Sequence, residues 1–177
     1  MARARSSTGT VAVPRLLRGL VARAKTEVPR HTGPRLARDQ RTRLGLVNTA
    51  NIELLAQGGS DPGVMMQWAE GLLLWHYVSI RLGCGEVEME EQLTLATAIL
   101  QRFGVTGHVS LTKEELSLAK LGVQVCDALV DETSLALAED AALWAETQIQ
   151  GIWARASLGV QPDFSRDAIR PYCEESA

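Results

Sequence analysis

Three cysteines and three histidines are the side chains most able to do chemistry, and their spacing argues against it. Cys84, Cys126 and Cys173 form an odd set with no C-x-x-C pair, which speaks against both a disulfide framework and a zinc site. Cys126 falls at a helix-core spacing, where a free cysteine behaves as a small buried hydrophobe; Cys173 lies near the polar end of the chain. A metal centre in a helical bundle needs inward carboxylates and a Glu-x-x-His pair. His31, His76 and His108 have no glutamate three residues before them. Glu86, Glu88, Glu90 and Glu91 cluster without a histidine beside them and read as a solvated helix start. No G-x-S-x-G occurs, and no cysteine sits in a motif that ties it to a histidine. Gly83-Cys84-Gly85 begins like a dinucleotide fingerprint but follows a helical pattern and meets Glu88 where the third glycine belongs. It reads as a helix stop and turn. Without a Walker-type G-x-x-x-x-G-K-[ST] an ATP or GTP enzyme is disfavoured, so no catalytic residue, metal or cofactor is assigned and a non-enzyme is expected.

Charge is more informative. Residues 1–45 hold eleven basic residues and two acids, a balance of +9, whereas the rest of the 177-residue chain holds seven basic and 19 acidic residues, a balance of −12. Such asymmetry points to two tasks. Arg15, Arg18, Arg23, Lys25, Arg30, Arg35, Arg38, Arg41 and Arg43 are the candidate nucleic-acid contacts, because each cation placed on a phosphate releases counterions. No Trp, Tyr or Phe occurs in residues 1–45, so base stacking is unsupported and any binding is unspecific and salt-sensitive. A solvated tail, or one folded back on the acidic body or on that of a sister subunit, is the competing reading. The Arg-rich, acid-poor start also matches an organelle transit peptide, but no apolar h-region marks a secretory signal.

The elements that position these residues are helices. The chain is long enough to bury about 70% of its extended surface in one core. Residues 1–34 carry repeated Gly and Pro and at most a short amphipathic helix over 15–25, so a flexible basic arm is expected unless a partner orders it. A first helix is expected from about 34 to 57, with Leu44, Val47, Leu54 and Leu55 along one side and a stop at Gly58-Gly59. Ser60-Asp61-Pro62 offers caps for a second helix. Its seam is Met65, Trp68, Leu72, Trp75, Ser79 and Leu82, and it ends near Gly83. His76 on this helix is expected at a bundle edge. The segment is too polar for a membrane span. A third helix, about 87–103, begins amid Glu86, Glu88, Glu90 and Glu91, which complement the helix dipole.

Thr112 and Glu115 form a capping box that opens a fourth helix. From Leu116 to Gln148 the apolar stripe keeps its phase without a proline, which favours one long helix over about 112–150. A break at Asp131 to Ser134, where both residues can cap, is the alternative. The long version would leave part of the helix to pack on a partner or on the first helix, and the long stripe also predicts self-association, most simply a symmetric homodimer. Trp153, beyond the main stripe, is a candidate partner contact. The fold class is therefore all-α: an antiparallel bundle of about four helices, with residues 1–34 as arm, 35–155 as bundle domain and 156–177 as a partly ordered tail.

Leu44-Gly45-Leu46, Trp68, Arg81-Leu82-Gly83, Phe103-Gly104 and Asp127-Ala128-Leu129-Val130-Asp131 resemble, over about residues 40–148, small uncharacterised helical proteins of bacterial plasmids and integrated phage-like elements. The resemblance implies a bacterial cytoplasm and no assigned activity. The leading expectation is a non-enzymatic interaction protein whose basic arm contacts nucleic acid or a nucleoprotein and whose acidic body binds an unidentified protein or itself. The alternative is a mobile-element inhibitor or anti-defence protein that blocks a basic nucleic-acid-binding partner through Glu86, Glu88, Glu90 and Glu91.

Overall fold

The computed structural model describes residues 33–59, 61–165 and 168–169. Five antiparallel-packed helices make up most of it: α1 (Arg38–Gln57), α2 (Pro62–Leu82), α3 (Glu86–Thr106), α4 (Lys113–Glu132) and α5 (Leu135–Ser157). The flexible-arm expectation, with Arg15, Arg18, Arg23, Lys25 and Arg30, falls outside the described residues, as does Cys173.

α2 is the centre. Only Glu70 and Arg81 are charged in its 21 residues, so it can be covered on most sides, and it packs against all four other helices. The expected seam from Met65 to Leu82 is buried, but so are Ala69, Leu73, Tyr77 and Val78 on other sides. His76 is buried with them rather than at an edge, because the helix has no solvent edge at that level. Asp61 starts α2 by accepting a hydrogen bond from the Gly63 N–H. Gly83 and Gly85, both at positive φ (64° and 76°), make the turn into α3.

α1 differs from its expected pattern. It begins at Arg38 rather than near residue 34, and its buried residues are Asn51, Ile52 and Leu55, while Val47 and Leu54 are exposed. Its outward face is thus more apolar than its charge-rich start would suggest.

The single long helix over 112–150 is not formed. Thr133 (φ −80°, ψ 133°) and Ser134 (φ −83°, ψ 158°) are extended, and they separate α4 from α5. The Thr133 hydroxyl donates to the Leu129 carbonyl at 2.7 Å, and the Ser134 hydroxyl accepts from the Leu137 N–H at 3.2 Å. Main-chain groops upstream of α1 complete the break: Leu36 N–H donates to the Thr133 carbonyl, and Leu135 N–H donates to the Pro34 carbonyl. These partners compensate the helix bonds that the break gives up. The stripe residues Ala119, Cys126, Val130, Thr133, Leu137, Ala141 and Trp144 are all buried, with α4 against α1 and α3 and α5 against α2. The stripe is thus covered within the chain, by two helices rather than one.

All the connections lie at two ends. Gly59 and Val109 pair through their main chains at one end, which joins the α1–α2 and α3–α4 loops. The starts of α1, α3 and α5 meet the finishes of α2 and α4 at the other. Beyond α5, Phe164 and Ile169 are buried, and the Phe164 N–H donates to the Thr97 hydroxyl at 3.0 Å, so the stretch read as a tail adds to the core.

Candidate functional site

The end of the bundle where α1 begins and α4 finishes gathers charge. Asp127 and Asp131 stand one turn apart on α4 and point the same way, and Arg41 on α1 reaches across with its guanidinium Nη1 3.0 Å from Asp131 Oδ1. Arg35, in the extended stretch before α1, places Nη2 2.9 Å from Glu132 Oε2 and donates through Nη1 to the Asp131 carbonyl at 3.1 Å. Burial, and then the neighbouring Asp131 carboxylate, push the Asp127 carboxyl above its ordinary range. α1 comes close to it because position 45 is glycine: a Cβ there would lie 3.2 Å from Asp127 Oδ1.

Of the described basic candidates, then, Arg35 and Arg41 are engaged by the body itself, in line with a chain that folds back on acidic surface. Arg38 and Arg43 are exposed on α1 and form no ion pair among the described residues. The engaging partners, Asp131 and Glu132, were not legible as such. The sequence marks Asp131 as a cap candidate and not as an ion-pair partner, and no spacing rule links positions 90 or more residues apart.

A second charged joint lies at the opposite end. Arg102 on α3 holds Glu115 on α4 through two parallel bonds of 2.8 and 2.9 Å and also donates to the Ser110 carbonyl. Glu115 closes the expected capping box, accepting from the Thr112 N–H at 2.8 Å while Thr112 accepts from the Glu115 N–H. Hydrogen bonding from Arg102 is the main cause that holds the Glu115 carboxyl below the usual range. A fork of this kind combines charge with fixed geometry.

The acidic candidates open α3: Glu86, Glu88 and Glu90 are half-buried and Glu91 is exposed. Trp153 keeps 39% of its surface in solvent, next to the buried Ile152, and Leu143 on the same helix keeps 68%. Leu46, Val47 and Leu54 are the exposed apolar residues of α1. Trp68 and Trp75 belong to the core. Cys84 and Cys126 are buried, and burial pushes the Cys126 thiol far up, away from the thiolate needed of a nucleophile. Among the described residues no three His, Cys, Asp or Glu side chains could hold a metal ion, and no helix is long and apolar enough to cross a membrane.

The geometry thus offers faces and charged seams on an all-α body. Comparison with known proteins finds no family model, no curated protein and no solved structure that matches the chain.

Proposed function

We propose that this is a non-enzymatic helical interaction protein of a bacterial cytoplasm, one that contacts nucleic acid or a nucleoprotein through its basic residues while its body engages a protein partner. The observation that carries the reading is the division among the described arginines. Arg35 and Arg41 are spent on the body, whereas Arg38 and Arg43 stay exposed on α1, continuous in sequence with Arg15, Arg18, Arg23, Lys25 and Arg30. Exposed Leu46, Val47 and Leu54 further along α1 supply apolar area of the kind a protein component of a nucleoprotein would cover. Attraction to backbone phosphate needs no base-reading helix, so the binding is insensitive to sequence and steep in salt.

The test is fluorescence anisotropy with duplex DNA, single-stranded DNA and RNA at several salt concentrations, using the full chain and the Arg38→Ala/Arg43→Ala variant. If both arginines contact duplex phosphate, the variant's log–log salt slope is shallower by about 2. Absence of binding to all three probes overturns the proposal. Capture instead of a basic nucleic-acid-binding protein, lost on charge reversal of Glu86, Glu88, Glu90 and Glu91, would replace it with the inhibitor reading.

A further inference from the structure

α1 rests on α2 and α4 with one side and shows the other to solvent. On that outward side Asp39, Arg43, Leu46, Ala50, Glu53 and Gln57 are all exposed, and they step along the chain by 4, 3, 4, 3 and 4. This is the heptad spacing of a seam between two packed helices, here turned away from the body. Leu46 and Ala50 form its middle, and exposed Val47 and Leu54 widen it along one flank. Thr42 and Thr49 border the other flank, where their hydroxyls already donate to the Arg38 and Gly45 carbonyls. The centre of the seam is therefore apolar, and its charges stand toward the two ends.

Those charges select the partner. Arg43 precedes the apolar middle and Glu53 follows it, and neither forms an ion pair among the described residues. Laid parallel on a copy of itself, the seam would set Arg43 against Arg43 and Glu53 against Glu53. Laid antiparallel about a two-fold axis beside position 48, it sets Arg43 against Glu53, Leu46 against Ala50 and Asp39 against Gln57, and symmetry repeats each contact. The cation then meets a carboxylate at both ends, and the Gln57 amide supplies a donor for the Asp39 carboxylate. In the middle a large side chain faces a small one, which lets the two helices interlock closely. The surface is thus complementary to itself in one orientation only.

We propose that a second copy of this chain covers the outward face of α1, with the two α1 helices packed antiparallel about that axis. This names the protein that covers the apolar area of α1 in the proposed function, and to that extent it rests on that reading. About 27 Å of helix some 10 Å wide is a small contact beside the ~800 Å² per partner of a standard interface, so the dimer forms over micromolar rather than nanomolar concentrations. Where both proposals hold, phosphate and Glu53 of the second copy compete for Arg43.

Sedimentation equilibrium of the full chain without nucleic acid, from about 1 to about 200 μM, tests it. The expected mass rises from monomer to dimer and no further, because a two-fold contact closes on itself. Arg43→Glu places glutamate against Glu53, and Glu53→Arg places arginine against Arg43, so each variant alone associates at least about tenfold more weakly. Mixing the two variants restores the dimer, since every facing pair is then again a glutamate and an arginine, and damage to the fold cannot imitate that recovery. A mass that stays monomeric assigns the face to another partner and overturns the proposal. Association that neither reversal weakens, a mixture that stays monomeric, or growth beyond the dimer overturns it equally. Anisotropy reads nucleic-acid binding and sedimentation reads self-association in its absence, so the two proposals fail separately.

Discussion

The α3–α4 joint and the α4–α5 corner use the same parts, an arginine, a carboxylate and a capping hydroxyl, but assemble them over very different chain distances. Arg102 and Glu115 are 13 positions apart, and Thr112 is within the same turn. Arg41 and Asp131 are 90 apart, and Arg35 and Glu132 are 97 apart. Closing the short loop costs less chain entropy, and the α3–α4 pair is better shielded, with side-chain exposures of 34% and 18% against 39% and 68% for Arg41 and Asp131. The first joint is therefore expected to contribute stability, and the second chiefly to decide where the chain turns.

Glu115→Ala should have the largest effect on this contrast. It removes both bonds of the fork and half of the capping box, and the expected cost is about 2 kcal/mol near neutral pH by denaturant titration. Its pH dependence has a definite sign. The folded-state pKa of Glu115 lies below the unfolded value, so its stabilisation is complete above the unfolded pKa and is lost as pH falls through the folded one. The gap between wild type and Glu115→Ala should close toward acid; an unchanged gap would show that packing, not charge, holds the joint.

Ser134→Ala comes next. Loss of an N-cap acceptor costs about 1 kcal/mol, and faster hydrogen exchange should be confined to the first turn of α5 and the residues paired with it. If instead α4 and α5 fuse, seen as new protection at positions 133–136, the cap rather than the pairing with residues 34–36 maintains the break.

Arg35→Ala and Arg41→Ala should each cost only a few tenths of a kcal/mol, less at high salt, since exposed pairs are weak and screened. A cost above that of Glu115→Ala would invert the comparison. The smallest effect belongs to Asp127→Asn. The folded-state pKa of Asp127 is raised, by burial and then by Asp131, so the ionised group opposes folding above that pKa and the opposition vanishes below the unfolded value. The variant should show a slightly higher Tm near pH 7 and no gain near pH 3.

Both joints contain residues that the sequence marks, but only one could be read. Thr112 and Glu115 satisfy a three-residue rule, and the structure forms that box as expected. Ser134 also has a capping side chain, yet the apolar stripe from Leu116 to Gln148 crosses it in phase, and periodicity alone cannot tell one long helix from two that bury the same stripe against different neighbours. α1 departs from its periodic pattern for a related reason. Its leucines and valine outnumber the places facing α2 and α4, so Leu55 is covered while Val47 and Leu54 are not. The basic stretch was legible as charge, but which arginines the body would take was not, because that depends on carboxylates contributed from the far side of the fold.

Helical periods, glycine stops and capping residues act within a turn or two, so the sequence by itself determined the all-α class, the central apolar segment that became α2, and the start of α4. The break at Thr133–Ser134, the burial of His76, the pairing of Arg35 and Arg41 with α4, and the exposed faces of α1 and α5 were decided by tertiary structure alone. Each depends on which surfaces meet once helices distant in sequence are packed, and on which polar groups then find partners away from water.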